Sequence, residues 1–159
     1  MHTFAHGLPA VWAMLHDPQS HVAKFEGMGH RDLEVVSQAI DDDSIQIEIR
    51  RTVDAEVPSI AAKVVKPTNT VTSNDHWTRT SESQLDGHYT VDIKGVPAVT
   101  KGVTSVLADS DDACTYTIEI EVKVKVPLIG EKIAGALRSQ IEGQVAQEFE
   151  ACDDWLANH

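Results

Sequence analysis

Cysteine is nearly absent: Cys114 and Cys152 are the only two in 159 residues, with no CxxC spacing and too few for a disulfide framework. That excludes a small secreted scaffold held by disulfides, and a reducing cytoplasm is the compartment that fits. Aromatic residues contribute only 5%. Basic charge is also scarce, with 13 Lys and Arg against 25 Asp and Glu for a net charge of -12. Such a field repels phosphates and anionic lipids. The basic residues are scattered, with no stripe interleaved with aromatics, so nucleic acid is not an expected partner. Long hydrophobic runs are missing as well. The stretch from Leu8 to Leu15 is too short to span a bilayer and no Lys or Arg precedes it, so neither membrane insertion nor an export signal is expected.

Internal repeats, low-complexity tracts and Pro/Ser-rich linkers are absent, and the length suits one core, so residues 1–159 are expected to form a single domain. The eight histidines, His2, His6, His16, His21, His30, His76, His88 and His159, show no HxH, HExxH or Cys-paired spacing. No metal and no cofactor is expected. A G-x-S-x-G nucleophile elbow is missing too.

What is present sorts by hydrophobic period. His2 to Gly7 reads as a short strand, followed by a helix from Pro9 to Leu15, a break at Asp17-Pro18 and a second short helix from Gln19 to Phe25. Alternation then takes over. Strands are predicted at Asp32 to Ile40, Ile45 to Val53, Thr70 to Thr80, Gly87 to Lys94, Ala98 to Ala108 and Cys114 to Val126. Val57 to Val65 reads as one or two helical turns capped by Ser59. The last strand is the clearest: Tyr116, Ile118, Ile120, Val122, Val124 and Val126 share one face and charged residues the other, so one side of the sheet meets water.

Leu128 to Leu156 carries the longest helical pattern, with Ile133, Leu137, Ile141, Val145 and Phe149 at steps of four. At 1.5 Å per residue it is about 43 Å long, close to the width of the whole molecule. The order implies an α+β fold in which a curved antiparallel sheet of about seven strands wraps the long C-terminal helix. A helix laid in a concave sheet leaves space, and that space is the expected ligand site.

Two stretches carry a resemblance. Pro9-Ala10-Val11-Trp12-Ala13-Met14-Leu15-His16-Asp17-Pro18 and Val122-Lys123-Val124-Lys125-Val126-Pro127-Leu128-Ile129-Gly130-Glu131-Lys132-Ile133 are similar to the first helix and the final strand-to-helix junction of the START-like, polyketide-cyclase and lipid-transport superfamily. Within it the chain most resembles a largely actinobacterial family described as a domain of unknown function. The resemblance implies the helix-grip fold and a class of activity: binding or transfer of lipids, polyketides and other apolar molecules, with occasional cyclase, dehydratase or hydrolase chemistry. It carries over no catalytic residue.

Inward-facing polar residues are the candidates for the site. Glu148 lies near the middle of the helix stripe, between Ile141, Val145 and Cys152. Strand parity turns Arg51, Arg79 and Lys101 inward, and a meander places Arg79 and Tyr116 nearest Glu148. The expected ligand-binding set is therefore Glu148, Arg79, Tyr116, Trp77, Ile141, Val145 and Cys152, with no residue assigned to catalysis. Cys114 and Cys152 are expected as thiols at one end of the core. Gly135, Ser139 and Gly143 form a small-residue strip that allows a homodimer. Three functions stay open: carriage of a small apolar ligand, an enzyme using the same inward groups, and an interaction domain with a vestigial cavity. Convergent titratable groups would favour the enzyme.

Overall fold

Period-two alternation dominates the middle of the chain, and it folds as one antiparallel meander. The computed structural model describes residues 1–159. In chain order the elements are β1 (His2–Phe4), α1 (Leu8–Leu15), α2 (Pro18–Gly27), β2 (Arg31–Ile40), β3 (Ser44–Asp54), β4 (Thr68–Ser81), β5 (Gln84–Ile93), β6 (Ala98–Ser110), β7 (Ala113–Val124) and α3 (Gly130–Asn158). The strands form one seven-stranded curved sheet in the order β1-β7-β6-β5-β4-β3-β2. Hairpins join β2 through β7, and β1 returns to pair with β7, Phe4 opposite Cys114. Register shifts at Val35/Ser37, Arg79/Ser81 and Ala108/Ser110 mark bulges, which bend strands. The architecture is α+β and of the helix-grip type.

Local chemistry explains the element ends. Pro9 and Pro18 sit in the first turns of α1 and α2, where a missing N–H costs nothing, and the Asp17 carboxylate caps α2 by accepting from Gln19 N at 2.9 Å. Ile45, Ile47, Ile49 and Val53 are buried on the inner face of β3 while Gln46 and Arg50 face water. No helix is long and apolar enough to cross a membrane.

Helix α3 grips the sheet at its two ends. Ile133, Ala134 and Leu137 bury against Val122, Ala61 and Val65 at one end. Leu156 joins Phe4, Trp12, Leu15, Trp77, Leu85 and Cys114 at the other. Between Leu137 and Leu156 no residue of α3 is buried. Ile141 and Val145, whose spacing predicts packing on the sheet, are only half-buried because the concave surface falls away beneath them.

Three further expectations need correction. The inner face of β6 is Thr100, Gly102, Thr104 and Val106, so Lys101 points outward; Val99, which sets the inward parity of Lys101, lies on the exposed face together with Val103. The Val57 to Val65 segment contains only a three-residue 3-10 turn, Ser59–Ala61, with no side-chain cap, because Pro58 rather than Ser59 occupies the capping position. The terminal helix starts two residues late, at Gly130, since Leu128 is in the left-handed region with φ 68°. Cys114 is buried in the cluster against which Cys152 packs, and both are free thiols.

Candidate functional site

Beneath the middle of α3 lie two cavities of about 70 and 120 Å³. They share Arg51, Tyr89, Val91, Val145 and Glu148 as walls, so they adjoin. The larger is the more apolar, with Val53, Val71, Ile93 and Ile141 in its lining. Trp77, Tyr116, Phe149, Cys152 and Trp155 line the smaller. A Cβ at Gly102 would collide with the Tyr89 ring, so glycine on β6 is what lets that ring lie across the sheet between the two cavities.

Charged groups meet at this junction. Lys24 Nζ of α2 lies 3.7 Å from Glu148 and 4.0 Å from Asp75 of β4. Lys24 is 15% exposed and Asp75 14%, whereas Glu148 is 34% exposed. Desolvation alone would lower the ammonium pKa, but Glu148 and Asp75 outweigh it and hold Lys24 above its ordinary value. Burial likewise opposes ionisation of Asp75, and His21, Lys24 and Arg51 reverse that and depress its pKa. His21 donates Nε2–H to the Leu15 carbonyl at 2.7 Å, which turns Nδ1 toward Asp75 at 3.6 Å.

Arg51 of β3 is 6% exposed. Its guanidinium stacks on Phe25, 3.7 Å from the ring centroid, and donates from Nε to His30 Nδ1 at 3.1 Å and from Nη1 to Ser73 Oγ at 2.9 Å. Burial, offset in part by Asp75 and Glu148, lowers its pKa to about 10. Burial and the Arg51 and Lys24 charges push His30 down to about 4, which keeps it neutral and able to accept.

The chain brings six of the seven sequence-predicted residues to these cavities: Glu148, Tyr116, Trp77, Ile141, Val145 and Cys152. Arg79 is the exception. It pairs with Asp43 at 2.8 Å in an open surface cleft, with its guanidinium 5.6 Å from the Trp12 ring. The reason is distance along the elements. Leu156 packs in the same cluster as Trp77, and Glu148, two turns earlier, lies about 12 Å back along α3. A strand covers that distance in about four residues, which leads from Trp77 back to the Ser73–Asp75 stretch of β4 and leaves Arg79 farther out on the other side. Glu148 therefore meets Lys24 and the Asp75 level, and Tyr116 shares its cavity without a hydrogen bond to it.

Asp75, Lys24 and His21 escaped the sequence reading, and Arg51 was ranked too low. The signal for Asp75 was available, since it shares the parity of Val71, Ser73 and Trp77 on β4. Lys24 follows His21 by one turn on α2 and so shares its buried face. Its pairing with α3 depends on how α2 packs, which no period encodes.

A seven-stranded sheet gripping a terminal helix over an internal cavity defines the helix-grip class of α+β proteins. The chain belongs to the family described as "Protein of unknown function (DUF2505)", which it matches over residues 1–156. Among solved structures it is similar to a conserved protein from Geobacillus kaustophilus, at 18% identity and a TM-score of 0.54, covering 99% of this chain and 92% of that one. That likeness speaks for the fold alone. No curated protein shows significant similarity to the chain.

Proposed function

We propose that this protein binds and carries a small, largely apolar molecule between the sheet and α3, and that it is a member of the START-like superfamily. The observation that carries this reading is the incompletely buried middle of an amphipathic helix: Ile141 and Val145 continue the apolar stripe of Ile133 and Leu137, yet both stay half-buried and line cavities, Ile141 touching only the edge of the Val122 cluster. Apolar side chains held over space cost stability unless something fills it. Each cavity is below the roughly 300 Å³ at which drug-sized ligand sites begin. The cargo is therefore small, or its entry spreads α3 from the sheet.

Catalysis is the weaker reading, although titratable groups do converge here. At Lys24, Asp75, Tyr89, Tyr116 and Cys152 the shift moves the group farther from neutrality. Lys24 stays protonated and Asp75 ionised; burial, reinforced by nearby carboxylates, keeps Tyr89 and Tyr116 as phenols; and burial, opposed by Lys24, pushes the Cys152 thiol up to about 11. None of these shifts brings a pKa near 7, where a general acid or base works best.

The test is native mass spectrometry of protein purified from its own host, together with a Val145→Phe variant that fills the wall shared by both cavities. Wild type is expected to retain a small molecule that the folded variant has lost. An adduct-free wild type whose tryptophan fluorescence, reported by Trp77 and Trp155 on the cavity wall, does not respond to small apolar compounds would sink the reading.

A further inference from the structure

Arg51 is far more buried than an arginine usually is, and its hydrogen bonding is incomplete. A guanidinium carries five N–H donors. Nε bonds to His30 and Nη1 to Ser73, no protein acceptor meets Nη2, and no carboxylate lies at ion-pair distance. Nη2 is not fully enclosed, so its free N–H groups are open to water or to a ligand oxygen. Arg51 is a wall of both cavities, so its free edge looks onto the ligand space. Tyr89 and Tyr116 also line the smaller cavity, their hydroxyls form no hydrogen bond within the protein, and burial raises both pKa values, which keeps them protonated.

The charge balance decides what kind of acceptor fits. Lys24 and Arg51 are matched by Asp75 and Glu148. A carboxylate ligand would add an unbalanced negative charge beside those two acids, in a protein whose net charge is already -12. A cationic ligand would face Arg51 and Lys24. What remains is an uncharged oxygen, and a carbonyl oxygen offers two lone pairs to these unpartnered donors without adding a further donor among them.

We propose that the ligand is an uncharged carbonyl compound, a ketone, ester or amide, whose oxygen accepts from Nη2 of Arg51 while its apolar body lies against Val53, Val71, Ile93 and Ile141. This rests on the binding reading above and adds the chemistry of the ligand's polar end. Arg51 is then a specificity residue that separates carbonyl compounds from hydrocarbons of the same shape.

Three small probes of matched size test it on the full chain by tryptophan fluorescence: propylbenzene, propiophenone and phenylacetate. Propiophenone is expected to bind roughly tenfold or more tightly than propylbenzene, as one hydrogen bond from a charged donor implies, and phenylacetate more weakly than propiophenone. Arg51→Met should bring propiophenone to the level of propylbenzene. In the wild type, propiophenone alone should shift the Arg51 side-chain ¹⁵N resonances, a readout that does not require the variant to fold. Equal binding of ketone and hydrocarbon, with no ¹⁵N shift, overturns the carbonyl proposal but leaves apolar binding intact. Tightest binding of phenylacetate overturns it in favour of an anion. If none of the three binds, the cavity-binding reading fails and the carbonyl proposal fails with it.

Discussion

The ends of α3 and its middle use the same kinds of side chain to opposite effect. At the ends, Ile133, Leu137 and Leu156 bury against the sheet. In the middle, Ile141 and Val145 stand over cavities beside Lys24, Arg51, Asp75 and Glu148. One stripe thus serves as clamp and as cavity wall. The sheet makes the difference: beneath the clamps it offers Val122 and Cys114, beneath the middle Ser73, Asp75, Thr104 and Tyr89. Polar side chains there deny the helix a dry surface, and their charges hold the space open because collapse would bury them further.

The comparison breaks most visibly under alanine truncation. Ile133 is 0% exposed, and Ile133→Ala is expected to cost about 3 to 5 kcal/mol by opening a new cavity in a closed cluster. Ile141→Ala should cost only about 1 to 2 kcal/mol, since it enlarges space that already exists around a half-buried side chain. Urea unfolding midpoints at constant m-value measure both. Equal losses would mean that the middle is clamped as firmly as the ends.

Gly102→Ala comes next, at about 1 to 3 kcal/mol, because the new methyl displaces the Tyr89 ring that separates the cavities. Removing the ring should relieve the clash. The double variant Gly102→Ala/Tyr89→Leu is expected to lose clearly less than the sum of its parts, and strict additivity would show that the ring was never held there.

These contrasts also show what the sequence makes legible. The meander, the water-facing side of β7 and the span of α3 follow from period two and period 3.6, which report one element against solvent. The wall residues Trp77, Tyr116, Ile141, Val145 and Cys152 follow from the same periods. Pairings between elements do not. Arg79 has inward parity yet lies about four residues too far along β4, and Lys101 takes its inward parity from Val99, which belongs to the outer face. Lys24 meets Glu148 only because α2 packs against α3, a relation set by tertiary geometry.

Acid should act on the middle before it acts on the clamps. His30 is lowered from the ordinary 6.5 to about 4. Above pH 6.5 it is neutral in both folded and unfolded chains. Between 6.5 and about 4 the unfolded chain takes up a proton that the folded one refuses, so stability falls as pH falls through that window. His30 is only half-buried, which reduces the effect to about 1 to 2 kcal/mol after screening by solvent. The depressed Asp75 contributes stability above its unfolded value, near 4, and loses it only at lower pH. His30→Gln, which can still accept from Arg51, should flatten the upper window and leave the lower one unchanged; urea midpoints across pH 7 to 4 read it directly, and an unaltered slope would show that His30 is not the group titrating.

Glu148→Gln is expected to have the smallest effect, below about 1 kcal/mol at neutral pH. Its carboxylate is 34% exposed and reaches Lys24 only at 3.7 Å, a partly wet pair that competes with water. Lys24 also keeps Asp75 at 4.0 Å, so its charge stays matched without Glu148. The change should surface elsewhere. The raised pKa of Lys24 contributes stability that is complete below the unfolded lysine value and lost as pH rises through the folded one. Removing Glu148 lowers that folded value and moves the alkaline loss toward neutrality. Thermal unfolding between pH 8 and 11 follows the shift. A loss above about 2 kcal/mol at pH 7, beyond what exposed pairs supply, would show that this contact pins α3 to α2, and the middle of the helix would then be a third clamp instead of a wall.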